Sequence, residues 1–161
     1  MNATSANDEA FLREAIRLAA EHSQQRDGGP FGSVIVRDGA ILGRGWNQVS
    51  STNDPTAHAE VMAIPPACRE ARYFRLQGCV LYASCEPCPM CLAAGYWARV
   101  ERIVYAAGRQ DAAAIGFDDA HLYEELARPV TRRQLSTIQM LRDEAMFVMQ
   151  QWNKMPDKPR Y

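Results

Sequence analysis

The sequence predicts an α/β fold: a sheet of about five strands in a three-layer α/β/α arrangement, with helices on both faces. Three observations point there. Asp38-Gly39 separates two apolar runs and is a strong signal for a tight hairpin. Strand and helix patterns then alternate along the chain, which favours a layered sheet. The length of 161 residues suits one domain, residues 1–161, with one sizeable core.

Each element has a local reason. Phe11, Leu12, Ala15, Ile16 and Ala19 recur at helical spacing, so roughly residues 8–25 read as an amphipathic helix, ended by Gly28-Gly29-Pro30. Ser33 to Arg37 and Ile41 to Val49 read as the hairpin strands. Residues 50–56 are polar, hold Pro55 and read as a loop. Thr56 is placed to cap a helix carrying His58 and Glu60 in its first turns. Pro65-Pro66 falls inside that helix, and interior proline costs about 3 kcal/mol or more. The expectation is a kink or break near Ile64, where Pro66 could open a second segment. Cys79 to Ser84 is an apolar strand. Pro89 suits the first position of the next helix, which runs to about Arg99. Ile103 to Ala107 is a strand, Asp119 to Leu126 and Leu141 to Trp152 are helices, and a weak strand is expected near Leu135 to Ile138. The tail from Pro156 to Tyr161 is polar and Pro-rich.

Bulk properties narrow the function. Apolar residues at 47% and charged residues at 23% are ordinary for a globular protein that needs no disulfide staples. A net charge of −1 leans against a nucleic-acid backbone as the main partner, since phosphate contacts call for a basic excess. Met1 to Asp8 lack a basic region followed by an apolar run, and no apolar stretch approaches the ~20 residues that span a bilayer. The expectation is a cytoplasmic protein outside membranes. There, cysteines are thiols or metal ligands rather than disulfides. Cys85, Cys88 and Cys91 fall close together.

Pro87-Cys88-Pro89-Met90-Cys91 places two thiols at i and i+3 on a helical first turn, near enough to share a metal. The helix N-terminus favours thiolates there. A Cys-x-x-Cys alone is equally a redox pair or half of a structural zinc site. His58-Ala59-Glu60 upstream changes the balance. Three ligands, His58, Cys88 and Cys91, leave one zinc corner for water, the arrangement of a catalytic site; Cys85 as a fourth ligand would instead make a structural one. His-x-Glu followed by Pro-Cys-x-x-Cys is the known signature of zinc deaminases, in which the glutamate is not a ligand. The chemistry needs a group that moves a proton from water to a ring and then to a poor leaving amine, and Glu60 is the carboxylate in the motif.

With these motifs the chain resembles the cytidine deaminase-like superfamily and, within it, small bacterial guanine deaminases. The resemblance also rests on Gly29-Pro30-Phe31-Gly32, Asn53-Asp54-Pro55-Thr56-Ala57, Tyr96-Trp97-Ala98-Arg99, Gly116-Phe117-Asp118-Asp119 and the terminal Tyr161. It implies a mixed sheet between helices, one zinc per subunit, and a homodimer whose C-terminal segment is exchanged, so that residues 156–161 cover the active site. The implied reaction turns guanine into xanthine and ammonia. Asn47 would hydrogen-bond the purine, Phe31 would stack on it, Ala57 would border it, Tyr161 would reach it from the tail, and Asp119 would be a second proton carrier. Each has a duller alternative: Asn47 ends a strand where Asn is common, Phe31 can be core, Asp118 and Asp119 can cap a helix. Trp97 either lines the pocket or only packs. His22 and His121 read as surface residues. Gly95 stands where that family suggests a bulkier side chain, which would enlarge the pocket.

Rival readings remain. Arg69, Arg72, Arg75, Arg99 and Arg102 could form a basic patch for a tRNA adenosine deaminase. The same chemistry could also serve a cytosine, pterin or aminotriazine, and a non-enzymatic zinc module would need four protein ligands.

Overall fold

The computed structural model describes residues 6–117 and 119–158. The expectations for Asp118 and Tyr161 lie outside the described residues. Two compact units divide the chain, Met1–Tyr123 and Glu124–Tyr161.

The first unit holds the sheet. Helix α1 (Ala6–Gln24) precedes strands β1 (Gly32–Arg37) and β2 (Ala40–Trp46). Between the strands, Asp38 and Gly39 have φ of 51° and 79°, the two left-handed residues of a tight hairpin turn. A single-turn helix α2 (Val49–Thr52) follows, then α3 (Ala59–Ala71), β3 (Val80–Cys85), α4 (Pro89–Ala98), β4 (Arg102–Ala107) and α5 (Arg109–Ala114). Helix α6 (Asp119–Ala127) begins in this unit. The strand order is β2-β1-β3-β4. β1 runs antiparallel to β2 and β3, and β3 runs parallel to β4. The sheet is therefore mixed, with four strands among the described residues rather than about five.

Alternation along β1 and β3 splits the core between the two faces. Val34, Val36 and Tyr82 pack with Leu18, Phe11 and Leu12 of α1. Ile35, Leu81 and Ala83 pack with Ala63 and Ala67 of α3 and Ala98 of α4. This gives the three layers expected.

Helix α3 corrects two expectations. Its N-cap is His58, not Thr56. Thr56 instead donates its backbone N–H and its hydroxyl to Asp54 Oδ1, at 2.8 and 2.6 Å. The helix also runs unbroken through Pro65-Pro66. Pro65 lies on the exposed face, where the carbonyl it leaves unpaired can meet water, while Ala63 and Ala67 on either side are fully buried. Packing of that buried face overrides the local cost of proline. The approach is very close: a Cβ on Gly43 would stand 2.4 Å from the Ala63 carbonyl oxygen.

The second unit contains the end of α6, a 3₁₀ turn at Val130–Arg132 and α7 (Arg142–Lys154). The strand expected at Leu135 to Ile138 does not form. These residues take no ladder partner, and Leu135 and Ile138 are 80% and 79% exposed. An isolated extended run has no hydrogen bonds to hold it. No helix among the described residues is long and apolar enough to cross a membrane.

Candidate metal centre and cavity

Two helices deliver the three donors. His58 caps α3, Cys88 caps α4, and Cys91 is in the first turn of α4 after Pro89. His58 Nδ1 lies 3.6 Å from Cys88 Sγ and 3.5 Å from Cys91 Sγ, and the sulfurs are 3.5 Å apart. Zinc bond lengths of about 2.3 Å to sulfur and about 2.0–2.1 Å to nitrogen, in tetrahedral geometry, place donors roughly 3.5–3.8 Å apart. The triangle fits zinc. The three groups are also strongly coupled. A hydrogen bond from the Cys91 thiol, and then one from the His58 ring nitrogen, hold Cys88 down to about 4. The Cys88 thiolate in turn pushes Cys91 up and raises His58, as three donors crowded about one point do. Among the described residues the metal-capable group is these three. Cys85 is not a fourth member. Its thiol points to the Gly108 carbonyl at 3.7 Å, and burial pushes it up to about 11, which keeps it protonated.

The triangle opens on a cavity of about 360 Å³. Glu60, in the first turn of α3, lines it while only 7% exposed. Burial pushes its carboxyl above the usual carboxylate range. Asp119, the first residue of α6, also lines the cavity.

Phe31 and Asn47 form part of the wall. Asn47 Oδ1 accepts the Gly29 N–H at 3.0 Å and the Val49 N–H at 3.3 Å. With the oxygen committed, the amide NH₂ is the end left for a ligand. Phe117 meets Phe31 edge to face, with centroids 4.7 Å apart. Sequence reasoning missed Phe117, Val49, Ser50 and Glu86 as lining residues. Phe117 had a signal, being inside the Gly116-Phe117 stretch already singled out.

Ala57 and Trp97 are not among the residues lining this cavity. Ala57 is buried beside His58, its carbonyl accepting the Gln48 N–H, and its side chain does not line the cavity. Trp97 is 64% exposed on α4 and is not among the lining residues. A helix has one inward face, and Cys91 and Gly95 occupy it. Gly95 faces Val100 and Ile103, so its small size does not enlarge this cavity. The basic patch is weaker than its sequence suggests, because Arg102 makes a two-pronged bond to Asp8 at 2.8 and 3.0 Å.

The loop bearing the cysteines is braced from outside. Tyr123 donates its hydroxyl to the Pro87 carbonyl at 2.8 Å. Arg109 lies over the Tyr123 ring at 4.3 Å and pairs with Glu86 at 2.9 Å.

Known proteins share this arrangement. Residues 5–107 match the family model of the cytidine and deoxycytidylate deaminase zinc-binding region. The guanine deaminase of Bacillus subtilis (strain 168) is 48% identical over 155 residues, covering 96% of this chain and 99% of that one. An X-ray structure of guanine deaminase from Bacillus subtilis superposes with a TM-score of 0.91 at 46% identity, covering 100% of this chain and 99% of the other. A tRNA-specific adenosine deaminase of Aquifex aeolicus (strain VF5) is 40% identical, over 62% of this chain and 65% of its own length. A donor triangle fitted to zinc, a buried glutamate two residues from its imidazole and a matched segment that spans both motifs together place the chain in the cytidine and deoxycytidylate deaminase family.

Proposed function

We propose that the chain is a zinc-dependent guanine deaminase, converting guanine and water to xanthine and ammonia. One observation carries the reading: a zinc-fitted corner opens on a cavity that is also lined by a buried, protonatable Glu60. Ligand cavities run from roughly 300 to 1,000 Å³, and about 360 Å³ suits a single base. The full-length likeness to a guanine deaminase supports the same choice of base.

Zinc, when bound, supplies Lewis acidity that brings the pKa of a water from about 15.7 toward about 7. The protein's side chains do the rest. Glu60 takes a proton from the attacking water and passes it to the ring nitrogen beside the amine-bearing carbon. Its raised pKa favours holding that proton. Asp119, which also lines the cavity, is the second proton carrier in this reading and serves the departing amine. The amine leaves as ammonia once it has been protonated. Asn47 offers N–H donors to an acceptor on the base, and Phe31, buttressed by Phe117, offers a ring face.

The tail and the assembly belong to the same reading. Leu135, Ile138, Met140, Leu141, Phe147 and Val148 are all exposed in the C-terminal unit. We take this surface to be covered in a homodimer that exchanges the segment, with residues 156–161 roofing the cavity and Tyr161 reaching it. None of the five cysteines is in a disulfide, which suits the reducing cytoplasm.

The test is ammonia release by the zinc-loaded protein from guanine, guanosine, adenine, cytosine, an aminotriazine and a tRNA anticodon stem-loop. Guanine should be the best substrate. Preference for the stem-loop, with steep salt dependence, would overturn the small-molecule reading.

A further inference from the structure

His22 reads from the sequence as an ordinary surface residue, but its side chain is only 15% exposed and makes two directed contacts. Its ring stacks on Trp46, with centroids 3.7 Å apart and planes within 4°. Its Nδ1 lies 2.7 Å from Asp27 Oδ2. Those two partners begin the two segments that build one wall of the cavity. Trp46 immediately precedes Asn47. Asp27 immediately precedes Gly28-Gly29.

The two segments clasp each other around Asn47. The Gly29 N–H donates to Asn47 Oδ1 at 3.0 Å. The Asn47 N–H donates to the Phe31 carbonyl at 3.0 Å. A Cβ on Gly28 would stand 2.2 Å from the Asn47 carbonyl oxygen, so the loop lies directly against that residue. Ser50, which lines the cavity, donates its hydroxyl to the Asp27 carbonyl at 3.4 Å. His22 itself does not line the cavity. Its backbone carbonyl, in the closing turn of α1, accepts the Asp27 N–H at 3.0 Å, so the backbone and the side chain of His22 hold the same loop residue.

We propose that His22 and Asp27 are positioning residues for substrate binding, acting through Asn47. The imidazole pins the loop at residues 27–29 to the end of β2. The Gly29 N–H then fixes the Asn47 amide with its NH₂ toward the cavity. Without the pin, the amide can rotate and present its oxygen, an acceptor, where the base needs a donor. This rests on the reading above that Asn47 contacts the base.

The test uses the zinc-loaded full chain and a double-mutant cycle. The variants are His22→Ala, His22→Gln, Asn47→Ala and the double variant His22→Ala/Asn47→Ala. The readouts are KM and kcat for guanine and zinc content. His22→Ala should raise KM about fivefold to tenfold, the worth of one well-placed hydrogen bond, with kcat within about twofold and zinc unchanged. His22→Gln keeps a donor for Asp27 and should recover part of the loss. In the Asn47→Ala background, His22→Ala should have no further effect on KM. Additive effects of the two substitutions would overturn the proposal, as would a fall in melting temperature with KM unchanged. Either result leaves the base contact of Asn47 standing. Wild-type KM in Asn47→Ala would instead overturn the base contact itself, and the positioning role with it. Should His22→Ala not fold, the cycle runs on His22→Gln with the same outcomes.

Discussion

Gly45 lies directly under the carbonyl of Ala59: a Cβ at Gly45 would stand 2.1 Å from that oxygen. Ala59 sits between His58 and Glu60, so β2 supports the metal-bearing end of α3 by direct backbone contact. The packing that buries this turn also sets the position of the zinc ligand and of the acid.

Gly45→Ala should therefore cost about 3 kcal/mol or more, since neither backbone can yield without moving the sheet or the site. Gly95→Ala is the control. A Cβ there meets Val100 at an ordinary 3.4 Å within helix α4, so alanine should be neutral or stabilising by up to about 1 kcal/mol. Chemical denaturation with zinc content measured in parallel checks both. Gly45→Ala with wild-type stability would contradict the close packing.

A buried polar cluster ties α1 to the sheet. Tyr82 donates to Asp8 at 2.6 Å, and Arg102 clamps the same carboxylate. Burial, then the bond to Asp8, pushes Tyr82 up to about 12 from an ordinary 10. A raised pKa means the neutral phenol is favoured in the folded state. Its contribution is complete below pH 10 and is lost as pH rises toward 12. Tyr82→Phe should cost about 1–3 kcal/mol at neutral pH and should flatten the alkaline limb of the stability curve. An unchanged limb, followed by denaturation from pH 8 to 12, would sink this assignment.

Tyr123 holds the Pro87 carbonyl, one residue before a zinc ligand. Tyr123→Phe keeps the ring under Arg109 but removes that bond. Outer contacts of this kind are worth about 10–100-fold in metal affinity, and the variant should lose zinc to a chelator about tenfold more readily. Equal chelator titrations for variant and wild type would show that the loop holds its shape without the tyrosine.

Much of this was legible in the sequence, and particular residues show why. Asp38-Gly39 fixed the hairpin because few residues accept two consecutive left-handed conformations. Cys88, Pro89 and Cys91 declared their geometry locally, through a helix start, and His58-Ala59-Glu60 lies on another. The failures are tertiary. Pro65-Pro66 argued for a kink or break, but the contact of β2 with Ala63 and Ala67 keeps α3 continuous. Leu135 to Ile138 has strand-like side chains and no ladder. Phe117 and His22 matter through partners 86 and 24 positions away, Phe31 and Trp46, and no local pattern encodes such distances.

The most direct test of the account is Glu60→Gln. The amide is nearly isosteric and is not a ligand, but it cannot carry the proton. The account predicts one zinc per chain as in wild type, an unchanged melting temperature, and ammonia release from guanine lowered about 10²–10⁴-fold. Release at near wild-type rate from the zinc-loaded variant would contradict it.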